Sequence, residues 1–350
     1  MSEQDLLFET ADRLFAQVST FDEVQAAQAS GWSQASWDAA DALGLTRIGI
    51  GEEAGGVGGS TADVVALLIA AGYHAVALPL AESTMIAGWL ANAPGVVLPQ
   101  GPVTVIPNRA GDTLRLEGDL LSGTAHRVPW GRNADLILGL VDDHIVGFTP
   151  SQASIHHDVN VAGEPRDDLS LNGITPVLCV AALPEQDPQG LALVGALSRS
   201  ALMAGALLRI VDITAQYTQE RKQFGKPVGS FQAVQLHVVR CAEHAAQVDL
   251  AVQVAARECD RGEASFEIAV AKTLANDAAR IASRAAHQAH GAMGMTQEYL
   301  LHQYTRRLWA WRSEYGDAAW VSTLGEAVVA LGADHHFHII ADGSASGIEL

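Results

Sequence analysis

A chain of 350 residues, 49% hydrophobic and 17% charged, buries a sizeable core over two or three domains and is not a disordered protein. Its formal net charge of -19 argues against general nucleic-acid binding, which needs cations to displace counterions. In chain order, residues 1–97 read as a helical domain. Phe8, Leu14, Phe15 and Val18, then Trp37, Ala40, Leu43 and Leu45, recur at helical spacing. The glycines of GIGEEAGGVGGSTAD mark a loop, and Ser60 or Thr61 is placed to cap the apolar helix after it. That loop matches neither a dinucleotide nor a P-loop pattern.

Residues 98–183 change character. VTVIPN, TLRLEGDLLSG, ADLILGLVDDHIVGFTP and ITPVLCVAAL are punctuated by Asn108, Gly111, Asp112, Gly118, Gly123, Asp142 and Asp143 at hairpin spacing. A small β-domain follows, a barrel or a sandwich. The Pro-rich link PEQDPQG opens residues 184–335, where helices are expected over 191–219, 231–260, 264–290 and 310–332, with the stretch 291–309 as a connection. Their lengths describe an antiparallel four-helix bundle. Residues 336–350, with Gly343 and Gly347, read as a flexible tail. The expected fold is mainly α with a small central β-domain.

Cys179, Cys241 and Cys259 show no metal-ligand spacing and read as small buried hydrophobes in a reducing compartment. His156 with His157, His290 with His302, and the cluster His335, His336 and His338 lack zinc-hydrolase spacing, so no metal is expected. No GxSxG elbow occurs. The N-terminus is acidic where a signal peptide is basic, and no window offers the roughly 20 uninterrupted apolar residues of a membrane span. The expected location is the cytoplasm.

Two runs carry candidate chemistry. YTQERKQFGKPVGSFQAVQ, Tyr217 to Gln235, sets Arg221, Lys222 and Lys226 on a turn before a helix that opens on Ser-Phe-Gln. Cations beside free helix N–H groups suit a diphosphate, although a solvated connection between helices has the same composition. The second run, QAHGAMGMTQEYLLHQYTRRL, covers residues 288–308. Its glycines let the backbone come close to a ligand, or simply end a helix.

Together with the helix–strand–helix domain order, these runs resemble the acyl-CoA dehydrogenase flavoproteins over nearly the whole chain. The resemblance implies FAD held across a subunit interface. Arg221, Phe224 and Gln232 would contact it, with Phe231 beside them, while Gln288, His290 and Gly291 would line the site of a neighbouring subunit. It also implies α,β-dehydrogenation of an acyl-CoA thioester, with electrons passed to an electron-transfer flavoprotein. A carboxylate removes the α-proton and the β-hydrogen leaves as hydride. The base must be an acid raised by burial, facing the flavin.

Here the sequence departs from the pattern. The stretch matching the family's Tyr-Glu-Gly-Thr is Glu314-Tyr315-Gly316-Asp317, so the acid sits one residue early, rotated by roughly 100° on a helix. Glu314 is the candidate base. A second reading makes it a structural partner of Arg306, Arg307 or Arg312, and a third gives the role of base to Asp317 or another acid. The second family position for a base, matched by Val194-Gly195-Ala196, carries no acid. The β-domain lacks the usual Thr-Glu-Pro and Gly-Ser-Asp signature, and Trp130 stands either over the flavin ring or in the domain core. RRLWAWRSEYGDAAW resembles a bacterial branch that degrades steroids and other bulky acids, some of whose members work as heteromers. A homo-oligomer and an assembly with a related subunit are both consistent with that, as is a non-catalytic subunit that completes a partner's flavin site or a same-fold oxidase.

Overall fold

The computed structural model describes residues 3–262, 264–316 and 318–331. The expected tail, the cluster at His335 to His338 and the alternative acid Asp317 lie outside the described residues. Four helices open the chain: α1 (Glu3–Val18), α2 (Phe21–Ser30), α3 (Gln34–Ala42) and α4 (Thr61–Tyr73). Side-chain caps set the last three starts. Thr20 and Ser33 accept from the N–H groups of Glu23 and Ser36, and Ser60 closes a capping box with Asp63. A π-helical turn, Ala81–Ile86, then runs into α5 (Ala87–Leu90) and carries Glu82 into the interior.

Eight strands follow: β1 (Val103–Val105), β2 (Arg115–Glu117), β3 (Leu120–Pro129), β4 (Leu136–Val141), β5 (His144–Phe148), β6 (Ser154–His156), β7 (Arg166–Ile174) and β8 (Leu178–Ala181). They form two four-stranded sheets, ordered β1-β4-β5-β8 and β2-β3-β7-β6. Ile106, Ile137, Val146 and Phe148 meet Leu121, Val128, Leu169 and Leu171 in one core between them. Of the two expected forms this is the sandwich. Strand β4 buries both faces. Ile137 and Val141 enter the sandwich, whereas Leu136, Leu138 and Leu140 join Ile86, Leu90 and Leu191, which docks the β-domain on the helices.

The C-terminal part comprises α6 (Pro188–Glu220), α7 (Gln232–Cys259), α8 (Ser265–His290), α9 (Leu301–Trp311) and α10 (Ala318–Leu331). The helix expected over 310–332 is two elements, and α9 fills much of the expected connection. Leu301, Tyr304, Leu308 and Trp311 give α9 a buried stripe at helical spacing. Tyr315 and Gly316, at φ 50° and 101°, break the chain from helical geometry before α10. Helix α6 is long and apolar enough to cross a bilayer, but 78% of its most apolar window is buried inside the protein, as befits a core helix. Cys179 is exposed on β8, which corrects the expectation for that residue. Cys241 is buried and Cys259 half-buried, and burial pushes both thiols up to about 12.

Helices α4 and α6 cross at two glycines. A Cβ on Gly72 would lie 2.0 Å from the Leu202 carbonyl oxygen, and one on Gly205 would lie 1.9 Å from that of Ile69. Backbone meets backbone there, so no side chain can yield. Gly205→Ala is expected to lower the unfolding free energy by about 1–3 kcal/mol through forced separation of the helices. Urea titration followed by circular dichroism measures this; an unshifted midpoint would show that the crossing has slack.

Candidate functional site

Helix α6 ends where Arg221 leaves helical geometry, and a small hairpin follows, β9 (Lys222–Gln223) with β10 (Lys226–Pro227). Its tip is Phe224-Gly225, with φ of 53° and 80°, a conformation that matches the strand twist but strains a non-glycine residue. Phe224 is 91% exposed. Phe231 meets it edge-on at 6.1 Å and lies under Lys226 Nζ, 4.3 Å from the ring centre. Phe231 gives α7 no side-chain cap; the Val234 N–H turns back to the Phe231 carbonyl, and the Gln232 and Ala233 N–H groups are left available to an anion. Arg221, Lys222 and Gln232 are exposed around this helix start.

The second run reaches the same end of the bundle. Tyr217, one turn before Arg221, stacks on His290 at 4.5 Å and donates from its hydroxyl to the His290 carbonyl at 3.2 Å. Tyr299 packs beside both rings, 5.0 Å from the imidazole centre and 5.6 Å from that of Tyr217. Burial lowers the pKa of His290 and favours the neutral ring, whose Nδ1 lies 2.8 Å from the Ala286 carbonyl. His290 is 3% exposed and so packs behind the surface, whereas Gln288 is exposed and Gly291, at φ 61°, has open space where a Cβ would stand.

Glu314 lies elsewhere, at the junction of all three parts of the chain. Its Oε1 accepts from Arg166 Nε at 2.8 Å, and its Oε2 from Arg199 Nε at 2.6 Å and Arg166 Nη2 at 3.1 Å. Arg199 Nη2 reaches Glu82 at 2.5 Å. Arg166 Nη2 also reaches Glu164, which accepts from Trp311 Nε1 at 3.0 Å and lies 3.4 Å from Arg307 Nε. Three carboxylates and three guanidinium groups thus interlock in the interior, all at most 6% exposed. Burial alone would raise the Glu314 carboxyl. The charges of Arg166 and then Arg199 overcome that and hold it far below the usual carboxylate range. Glu314 therefore pairs with arginines, but not with those expected. Arg306 instead donates to the Val161 carbonyl, Arg307 faces Glu164, and Arg312 lies over Trp309.

The Tyr315 ring seals this region. A Cβ on Gly195 would fall 2.1 Å from it, and the Arg199 guanidinium sits 5.2 Å from its centre. The α6 face that carries Gly195 and Arg199 thus has no free volume beside Tyr315. Next to it a cavity of about 510 Å³ opens between the β-domain and Ser313 to Gly316. Asn108, Arg127 and Tyr315 line it, each at positive φ, a concentration of strain that fits a working site better than plain scaffold. His126 and Arg127 project there from β3, whereas Trp130 is 3% exposed and does not line the cavity. Sequence reasoning missed Glu82, Glu164, Arg166 and Arg199. A lone arginine amid the apolar ALSRSALMAGALL was the available signal, since a charge there must find a buried partner.

Residues 191–316 match the family described as acyl-CoA dehydrogenase, C-terminal domain. The chain is 28% identical over 302 residues to the acyl-CoA dehydrogenase FadE28 of Mycobacterium tuberculosis, covering 77% of this chain and 85% of that one. Its fold is similar to a chain of the ChsE4-ChsE5 complex from Mycobacterium tuberculosis, with a TM-score of 0.85 and 22% identity over 95% of this chain and 99% of that one. PigA with FAD and proline superposes with a TM-score of 0.79 at 17% identity, again over 95% and 99% of the two chains.

Proposed function

We propose, from the match of residues 191–316 to the C-terminal domain of acyl-CoA dehydrogenases, that the chain is the flavin-gripping subunit of a dehydrogenase for bulky acyl-CoA thioesters, whose base comes from a related chain. The observation that carries this reading is the clamp on Glu314 by Arg166 and Arg199. A general base must release its charge to take the α-proton, so its pKa should lie near the working pH. Two guanidinium groups push Glu314 the other way. The exposed half-site of Arg221, Phe224, Phe231, Gln232, Gln288 and Gly291 suits FAD. The open N–H groups at the α7 start and the Arg221 cation would hold its diphosphate, and glycine at 291 would leave room for close approach. FAD held there would supply a hydride acceptor for the β-hydrogen, and the α-proton would go to a carboxylate of the companion chain.

The strained, exposed Phe224 wants cover, which an adjoining subunit supplies. An electron-transfer flavoprotein as acceptor and a cytoplasmic location complete the reading. A second reading keeps Glu314 as the base, because its carboxylate borders the cavity beside Tyr315; it requires both arginines to let go. Glu314→Gln in the assembled enzyme separates the two. Flavin reduction by acyl-CoA is expected to change by no more than about twofold, whereas loss of a true base removes about 10²–10⁴-fold. A drop of that size would make Glu314 the base.

A further inference from the structure

A cavity of about 930 Å³ lies on the opposite face of α6 from Tyr315. Gly195 and Arg199 point toward the ion-pair network, whereas Gly190, Leu193 and Leu197, at helical spacing on the far side, line this second space. Val64, Met85, Trp89 and Ile268 complete its apolar wall, contributed by α4, the α5 region and α8. Leu197, Val64, Met85 and Ile268 are buried, so the floor is deep, while Glu185, Asp187 and Asp260 stand exposed at the mouth.

Three helices begin at this cavity, and two of the starts, those of α4 and α6, are closed to anions by acidic or hydroxyl side chains, while α8 opens at Ser265 without a side-chain cap. Asp260 accepts from the Thr61 and Ala62 N–H groups at 2.7 and 3.2 Å, and Ser60 Oγ accepts from Asp63 N at 3.2 Å. At α6, Asp187 accepts from Gly190 N at 2.7 Å. At α4 and α6 the chain's own acids therefore occupy donors that a phosphate or carboxylate would seek, and the carboxylates of Glu185, Asp187 and Asp260 repel an anion from the mouth. No Lys, Arg or His lies among the described lining residues. A thioester's nucleotide end is excluded on charge, and the volume falls at the upper end of small-molecule sites.

We propose that this cavity is a binding site for a bulky, uncharged apolar molecule, separate from the flavin half-site and from the Glu314 junction. The recognising chemistry is apolar burial against Met85, Trp89, Leu193 and Leu197, with the carboxylate mouth selecting against anions. It does not depend on the chain gripping FAD.

The test is a fluorescence titration of the purified full-length chain with Nile red, an uncharged dye, and with anilinonaphthalene sulfonate, an anionic one. Nile red is expected to bind at least about tenfold more tightly. Leu193→Trp, which fills the cavity, is expected to weaken Nile red by at least about tenfold with the far-ultraviolet circular dichroism melt unmoved. Should that variant fold poorly, Leu193→Ala widens the space and is expected to weaken the dye through lost contact while leaving the protein folded. Equal affinity for the two dyes, or Nile red affinity untouched by whichever Leu193 variant folds, would overturn the proposal. Flavin retention is unaffected in either case, so the outcome is independent of the assigned function.

Discussion

Arg199→Ala is expected to destabilise the chain by about 3–5 kcal/mol, the usual loss when one member of a buried ion pair is removed. Arg199 is 1% exposed and reaches Glu82 at 2.5 Å and Glu314 at 2.6 Å, so its removal strips both carboxylates of a counter-charge where water cannot replace it. Glu82 belongs to the N-terminal helices, Arg166 to the sandwich, and Glu314 to the corner before α10, so the defect loosens three parts at once. Urea unfolding measures it, and an unmoved midpoint would mean that water enters the junction. The same network predicts the acid limb. Glu314 has a folded pKa below its unfolded value of 4.5. Its contribution is therefore fully present above pH 4.5 and lost as pH falls from there toward the depressed folded value, because the unfolded chain takes up a proton that the folded chain refuses. Glu314→Gln should flatten that limb of the stability curve.

What the sequence disclosed follows from the range of the interactions involved. Helices such as α4 and α8 announce themselves through caps and periodic apolar residues, which are local. The hairpin at Phe224-Gly225 is likewise local, and its cations mark it in an acidic chain. Strand β7 is hidden in sequence because Arg166 and Asp167 are buried charged-type residues, partnered by Glu314 and Arg132, so hydrophobic alternation fails there. The partners of Glu314 lie 148 and 115 residues away, beyond any spacing argument. Arginines close by in sequence drew attention, while α9 turns them toward Glu164, Val161 and Trp309. Trp130 is ambiguous in sequence for a related reason: an aromatic after a strand belongs to core or ligand according to which face the next turn presents, and here a single 3-10 turn at Gly131–Asn133 leaves it inside.

Arg221→Ala is expected to weaken FAD retention by about 10–100-fold, the value of one hydrogen bond between ionised partners. The effect should be read in the assembled protein by equilibrium dialysis and by the ratio of flavin to protein absorbance. Arg221 is exposed at the end of α6, so the flavin-free chain should melt as wild type. A matching loss of melting temperature would make the arginine structural and remove the diphosphate contact. Raising salt should weaken wild-type retention more than that of the variant, because the charge being screened is already absent in the latter. Phe224→Ala supplies the companion measurement. A side chain 91% exposed in the single chain contributes little to folding there, so the variant should melt normally alone. It should nevertheless lose flavin or subunit association, because the ring, which meets Phe231 edge-on in the single chain, would gain its main apolar contact in the assembly. Retention unchanged by both substitutions would place the flavin away from this hairpin, and the grip would have to be sought at the strained cavity lined by Asn108, Arg127 and Tyr315.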